Sequence, residues 1–164
     1  MDWHFLNNRK TALDTSSKHA YYSAMITLAQ TTQSTKATPA AIFALWTDID
    51  HWADHDDGIE WAKLTDTFTA GGHYVIKPKG GPKTKATIVL IEPDRHFVDV
   101  AHLLGASLKF DHTLSQRAGN TVVEITMTLS GPLSWLWAKI LGTGQQADLE
   151  KSTAKLIARA EAGQ

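Results

Sequence analysis

Residues 106–133 read ASLKFDHTLSQRAGNTVVEITMTLSGPL. In the first half, Leu108, Phe110, His112 and Leu114 alternate with Lys109, Asp111, Thr113 and Ser115. In the second half, Val123, Ile125, Met127 and Leu129 alternate with Val122, Glu124, Thr126 and Thr128. Period-two alternation of this length marks strands with one covered and one wet face. Gly119-Asn120 is a turn signal, and so short a connection requires antiparallel pairing, because parallel strands need a crossover of about a dozen residues or more.

The pattern extends upstream. Strands are expected at about 59–67, 71–79, 84–92 and 95–104, ahead of 106–116 and 120–130. They are separated by Gly71-Gly72, Gly80-Gly81-Pro82, Pro93-Asp94 and Gly105. Before Gly58, Thr38-Pro39 reads as a helix start, with Thr at the N-cap and Pro where a missing N–H costs nothing. That helix runs to about Thr47 with Ile42, Phe43 and Trp46 on one face, and Asp48 or Asp50 caps a second short helix through Trp52 to about Asp56. The Thr- and Ile-rich run from Tyr22 to Lys36 favours a first strand.

Downstream, Gly131-Pro132 ends the sheet. Leu133, Leu136, Trp137, Ile140 and Leu141 keep helical spacing, which resumes at Leu149, Leu156, Ile157 and Ala160. A helix over 132–162 would be roughly 46 Å long at 1.5 Å per residue, long enough to cover the whole sheet, with a bend at Gly142 and Gly144. The fold class is therefore α+β: a curved antiparallel sheet of about seven strands gripping one long C-terminal helix, with two short helices after the first strand. One helix cannot fill so wide a sheet, and the remaining volume is an internal cavity.

Composition narrows the functions. The chain has 164 residues, six tryptophans, no cysteine and a net charge of -1 from 16 basic and 17 acidic residues. Charge balance argues against a nucleic-acid partner. The absence of cysteine removes disulfides, thiolate metal sites and cysteine nucleophiles. The sequence has no run of 18 apolar residues and no secretory signal, so a cytoplasmic protein without a transmembrane segment is expected. Residues 1–20 read as an N-terminal arm and 21–164 as one ligand-binding domain.

Several motifs carry a family resemblance. The run from Thr38-Pro39-Ala40 through Ile42-Phe43 and Leu45-Trp46 to Asp48-Ile49 and Trp52 is similar to a stretch of the polyketide cyclase/dehydrase and lipid transport family, within the START-like (SRPBCC, or Bet v 1-like) superfamily. Gly72 before an aromatic strand, Phe110-Asp111-His112, Gly119-Asn120-Thr121 and Gly131-Pro132-Leu133 follow in the family's order. The resemblance spans about 24–162. It implies a helix-grip fold with a hydrophobic cavity, on a scaffold shared by lipid carriers, cyclases, hydratases, hormone receptors and chaperone co-factors.

Candidate chemistry is sparse. His112 lies on the apolar row and is the candidate catalytic residue or polar anchor. The expected ligand-binding set is Leu108, Phe110, His112, Leu114, Ile125, Met127, Leu136 and Trp137. His51 and His55, at i and i+4 with Asp54 nearby, resemble a metal pair but lack a third histidine, so no metal site is assigned. Lys77, Lys79, Lys83 and Lys85 flank Gly80-Gly81-Pro82, which reads as a solvated hairpin tip because no helix N-terminus follows it. Tyr74 and His73 split between strand faces, as do Asp99 and His102. Trp135 points away from the face of Trp137, which leaves it outward or along the cavity mouth. No motif requires a cofactor. The expected partner is a small hydrophobic or aromatic molecule. A polyketide cyclase/dehydrase-like enzyme and a protein-interaction module are the alternatives.

Overall fold

The computed structural model describes residues 25–163; the expected arm at 1–20 lies outside them. Chain order is β1 (Ile26–Thr35), α1 (Pro39–Thr47), a 3-10 turn (Ile49–Asp54), β2 (Ile59–Leu64), β3 (His73–Pro78), β4 (Thr84–Glu92), β5 (His96–Leu103), β6 (Ala106–Arg117), β7 (Asn120–Ser130), α2 (Ser134–Leu141) and α3 (Gln145–Ala162). Among the described residues, seven strands form one antiparallel sheet in the order β1-β7-β6-β5-β4-β3-β2. This is the helix-grip arrangement the alternation predicts. β2 and β3 are shorter than expected, because residues 65–72 form the connection between them, although Gly71 and Gly72 still bond the Ile88 backbone of β4.

Register sets the concave face. Leu108 pairs with Leu129, Phe110 with Met127, His112 with Ile125 and Leu114 with Val123. Across β5 the same face continues through Ala101, Asp99 and Phe97, then through Ala86 and Ile88 on β4 and Tyr74 and Ile76 on β3. Bulges at Thr27/Ala29, Ile59/Trp61 and Ile88/Leu90 interrupt the ladders, and bulges add local twist.

α1 begins as its sequence dictates. The Thr38 hydroxyl accepts from the Ala41 amide at 3.2 Å, with Pro39 in the first turn. Its buried face is Ile42, Phe43 and Trp46. Asp48 and Asp50 do not use their side chains as caps: Asp48 bonds the His51 ring at 2.8 Å, and Asp50 accepts from the Leu64 amide at 2.7 Å and pairs with Lys63.

The C-terminal helix departs from expectation. It is two helices, broken at Gly142–Gly144, where Gly142 takes φ +74. A residue with that backbone cannot continue a right-handed helix, so the glycines separate two elements where a bend is expected. α3 buries Leu149, Thr153, Leu156, Ile157 and Ala160 and packs on β1 and α1. α2 sits at the other end of the stripe and leaves Trp135, Leu136 and Ile140 exposed. Trp135 is thus outward as expected, whereas Leu136 is not part of a buried face.

The turn into α2 is tight. Gly131 has φ +107, and a Cβ there would lie 2.9 Å from the Gly105 carbonyl oxygen and 3.0 Å from the Ala106 Cα. Both obstacles are backbone. Gly131→Ala should therefore lower unfolding free energy by about 1–3 kcal/mol, measured by urea denaturation. Gly119→Ala, at φ +77 with open space around it, should cost less.

Candidate functional site

Between the concave face, α1 and α3 lies a cavity of about 500 Å³. Leu108, Phe110, His112, Ile125, Met127 and Trp137 line it, as the sequence pattern anticipates. Leu114 does not: it is buried further along β6, on the far side of His112 from Leu108. Leu136 is absent from the lining because it sits on the solvent side of α2, 36% exposed. The mouth is framed by Ile140 and Leu141 of α2, Gln145 and Asp148 of α3, the Pro78–Pro82 turn and the loop at Asp56 and Gly58. The Lys79 amide donates to the Gly58 carbonyl at 2.8 Å and joins two of these rims.

The open questions of strand facing resolve at the cavity floor. Tyr74 and Asp99 point inward and are 2% and 1% exposed. His102 points outward and bonds Thr87 at 2.8 Å; His73 is also outward and bonds Asp66. The Tyr74 hydroxyl donates to Asp99 Oδ2 at 2.6 Å. His112 Nδ1 lies 3.3 Å from the Phe97 carbonyl oxygen, which can only accept, so Nδ1 carries the proton and Nε2 is left with a lone pair. Asp99 Oδ1 is 3.8 Å from His112 Nδ1, beyond hydrogen-bond reach.

Burial controls the charges here. It pushes the Asp99 carboxyl up to about 7, opposed only by the Tyr74 hydrogen bond. Burial also pushes His112 down to about 4, opposed by its bond to Phe97. Burial, followed by the charge and hydrogen bond of Asp99, lifts Tyr74 well above its usual value. Near neutral pH the imidazole is therefore uncharged, and His112 and Asp99 are neighbours without being an ion pair.

Aromatic rings wall the floor. Trp46 lies 5.1 Å from the His112 ring, and Trp52 lies 5.2 Å from Tyr74 in an edge-on contact. Three buried polar atoms on cavity-lining residues have no hydrogen-bond partner: Trp46 Nε1, His55 Nδ1 and Asp99 Oδ1. Buried polar groups are normally paired, and these three are exceptions on lining residues.

The other sequence candidates do not converge. His51 is exposed on Asp48, while His55 is buried against the cavity, because the 3-10 turn does not align positions i and i+4. Among the described residues no group of three His, Asp or Glu side chains is placed to hold a metal ion. Lys77 is tied to Glu60 and the Gly81 carbonyl, and Lys83 lies over the Trp61 ring, so two of the four lysines are engaged with β2 or the turn itself. Tyr74 and Asp99 are candidates whose facing the sequence pattern leaves open, and for Asp99 the turn settles it. Leu104-Gly105 is a two-residue turn, and the Leu103–Ala106 pairing it sets carries Asp99 opposite Phe110.

An antiparallel sheet gripping a C-terminal helix around such a cavity defines a START-like, helix-grip protein. The chain belongs to the polyketide cyclase/dehydrase and lipid transport family, whose family model matches residues 25–161. No curated protein matches it significantly. Among solved structures, the fold is similar to the di-domain ARO/CYC StfQ from the steffimycin biosynthetic pathway (TM-score 0.68, 10% identity, covering 90% of this chain and 54% of that one). It is also similar to major latex-like protein 151 from Panax ginseng (0.62, 14%, 84% and 97%), and to a protein from Thermus thermophilus (0.64, 14%, 82% and 97%). Among the described residues no helix is long and apolar enough to cross a membrane.

The opposed shifts of Asp99 and His112 give a pH signature. Asp99 is held protonated in the folded chain up to about 7, so it favours the folded state at low pH and loses that effect as pH rises from about 4 to 7. His112, depressed to about 4, destabilises the folded state as pH falls from about 6.5 to 4. In urea denaturation, Asp99→Asn should gain stability relative to the parent as pH rises from 4 to 7, by an amount on the order of a few kcal/mol. A difference independent of pH would refute the Asp99 assignment.

Proposed function

We propose that this protein binds a small apolar or aromatic molecule in the cavity between the sheet and α3. Leu108, Phe110, Ile125, Met127 and Trp137 would enclose its body, with His112 and Asp99 at its polar end. The observation that carries this reading is the combination of a cavity of about 500 Å³, within the usual range for ligand sites, with unpartnered buried polar atoms on its walls. The test is a titration with the neutral fluorescent probe N-phenyl-1-naphthylamine. Saturable binding is expected, and Ala101→Trp, which places an indole in the cavity from a buried lining position, should weaken it at least tenfold while the far-ultraviolet circular dichroism is unchanged. Equal binding by a folded Ala101→Trp variant would move the site elsewhere.

A second reading, acid–base catalysis on the bound molecule, is favoured by one specific observation. A carrier needs a single anchor, whereas two groups capable of moving protons, Asp99 and His112, meet at this floor. With Asp99 near 7 and His112 neutral, the floor can present a proton donor and a lone pair together. A cyclisation or dehydration of a polyketide-like chain is the corresponding reaction class within the family. If a turnover assay is found, His112→Ala should reduce kcat by at least a hundredfold and probe affinity only modestly; retained turnover removes His112 from the mechanism.

A further inference from the structure

The polar end of the cavity specifies more than an apolar ligand. Its lining carries the carboxyls of Asp56, Asp99 and Asp148 against a single ammonium, Lys79, at the mouth. The two lining histidines, His55 and His112, are both pushed down by burial and do not supply positive charge near neutral pH. Asp99 is the deepest of the three carboxyls. Its Oδ2 is taken by Tyr74, its Oδ1 has no partner, and no lysine or arginine pairs with it among the described residues. His112 comes nearest to it through Nδ1, at 3.8 Å, and because Nδ1 is committed to the Phe97 carbonyl the acceptor of this ring is Nε2. The rings of Trp46, Trp52, Tyr74, Phe110 and Trp137 complete the lining.

Two acceptors, one of them a carboxyl without a counter-cation, enclosed by aromatic faces, make a surface that attracts N–H-rich cations. Aromatic faces attract an ammonium electrostatically, and more strongly when water is excluded; a carboxylate adds a charge-assisted hydrogen bond. Above about pH 7, where the carboxyl is ionised, a neutral hydroxyl leaves its charge uncompensated. Resting on the ligand-binding reading above, we propose that the ligand is an organic amine, an aromatic or alicyclic body bearing a protonated amino group that docks on Asp99.

Asp99 is faced by Tyr74 from β3 and by His112 from β6; His55, Asp56, Asp148 and Lys79 are the other ionisable groups of the cavity wall. Raising the pH through 7 frees the Asp99 carboxylate while an alkylamine stays protonated to about pH 10. Amine affinity therefore rises over this interval, and the affinity of a matched alcohol does not.

The experiment compares 2-phenylethylamine with 2-phenylethanol, and tryptamine with tryptophol, by isothermal titration calorimetry on the full chain at pH 6 and pH 8. The amine of each pair should bind at least tenfold more tightly than the alcohol at pH 8, and the preference should shrink at pH 6. Asp99→Asn should abolish the preference and leave alcohol affinity within about threefold, whereas Asp148→Asn at the mouth should keep most of it. Alcohols binding as well as amines to the parent protein would overturn the amine assignment and leave the ligand-binding reading standing. An amine preference that survives Asp99→Asn would overturn the role of Asp99. Failure of all four compounds, together with the neutral probe, would overturn the ligand-binding reading itself. The comparison within the parent protein decides the ligand class even if the Asp99 variant does not fold.

Discussion

The pairing of Leu103 with Ala106 across the Leu104-Gly105 turn governs the floor of this molecule. Side chains alternate faces along a strand, so a slip of one residue would exchange the inner and outer sets. In the observed register Phe97, Asp99 and Ala101 look inward beside His112, Phe110 and Leu108. The slipped register would place Val98 and Val100 inside and send Asp99 to solvent. An ordinary hydrophobic wall would then replace the polar end of the cavity. The cost of the native choice is a buried carboxyl, softened by the Tyr74 hydroxyl and by the proton that burial favours.

The second constraint is the glycine break between α2 and α3. A single straight helix over 132–162 would have to run through Gly142, whose backbone is left-handed. With the chain redirected at Gly142, α3 is free to pack on β1 and α1, and α2 stands at the rim. Trp137 remains tied to the sheet, its indole donating to the Leu104 carbonyl at 2.9 Å, and Leu133 packs over Gly105. The β5–β6 turn that fixes Asp99 is therefore also the platform for α2, and the mouth and floor of the cavity share one structural support.

How much of this is legible in the sequence depends on how sharply each element alternates. β6 and β7 separate apolar from polar residues cleanly, and their inward rows are readable from residue type alone; so is the start of α1 from Thr38 and Pro39. β5 does not separate: His96-Phe97-Val98-Asp99-Val100-Ala101 is apolar on both faces, and periodicity alone cannot choose. Val98 is buried as well as Phe97, so two-sided burial erases the signal. Leu136 fails for a different reason. Its spacing is helical, but spacing assigns a face only while the helix stays in contact with its partner, and the break at Gly142 leaves that side of α2 to solvent. Leu114 is on the expected face yet outside the cavity, because sharing a face does not fix position along the groove.

The same floor bears on the two proposed uses of the cavity, holding a molecule and transforming it. A carrier would gain from a site whose polar atoms are satisfied only when a ligand is present, and Asp99 Oδ1 and Trp46 Nε1 are buried without a partner. A catalyst needs in addition that the groups exchange protons near the working pH. Burial has moved Asp99 up and His112 down until the carboxyl is the more basic of the two, the reverse of their order in water. A proton delivered to this floor therefore rests on Asp99 and leaves the imidazole lone pair open. Burial is the largest cause of both shifts, so environment more than neighbouring charge sets the two proton affinities apart. A docked cation would bring Asp99 back toward its ordinary value and leave the pair anionic. Binding a cation and serving as a general acid would be competing uses of one carboxyl, because the first needs it ionised and the second needs it protonated.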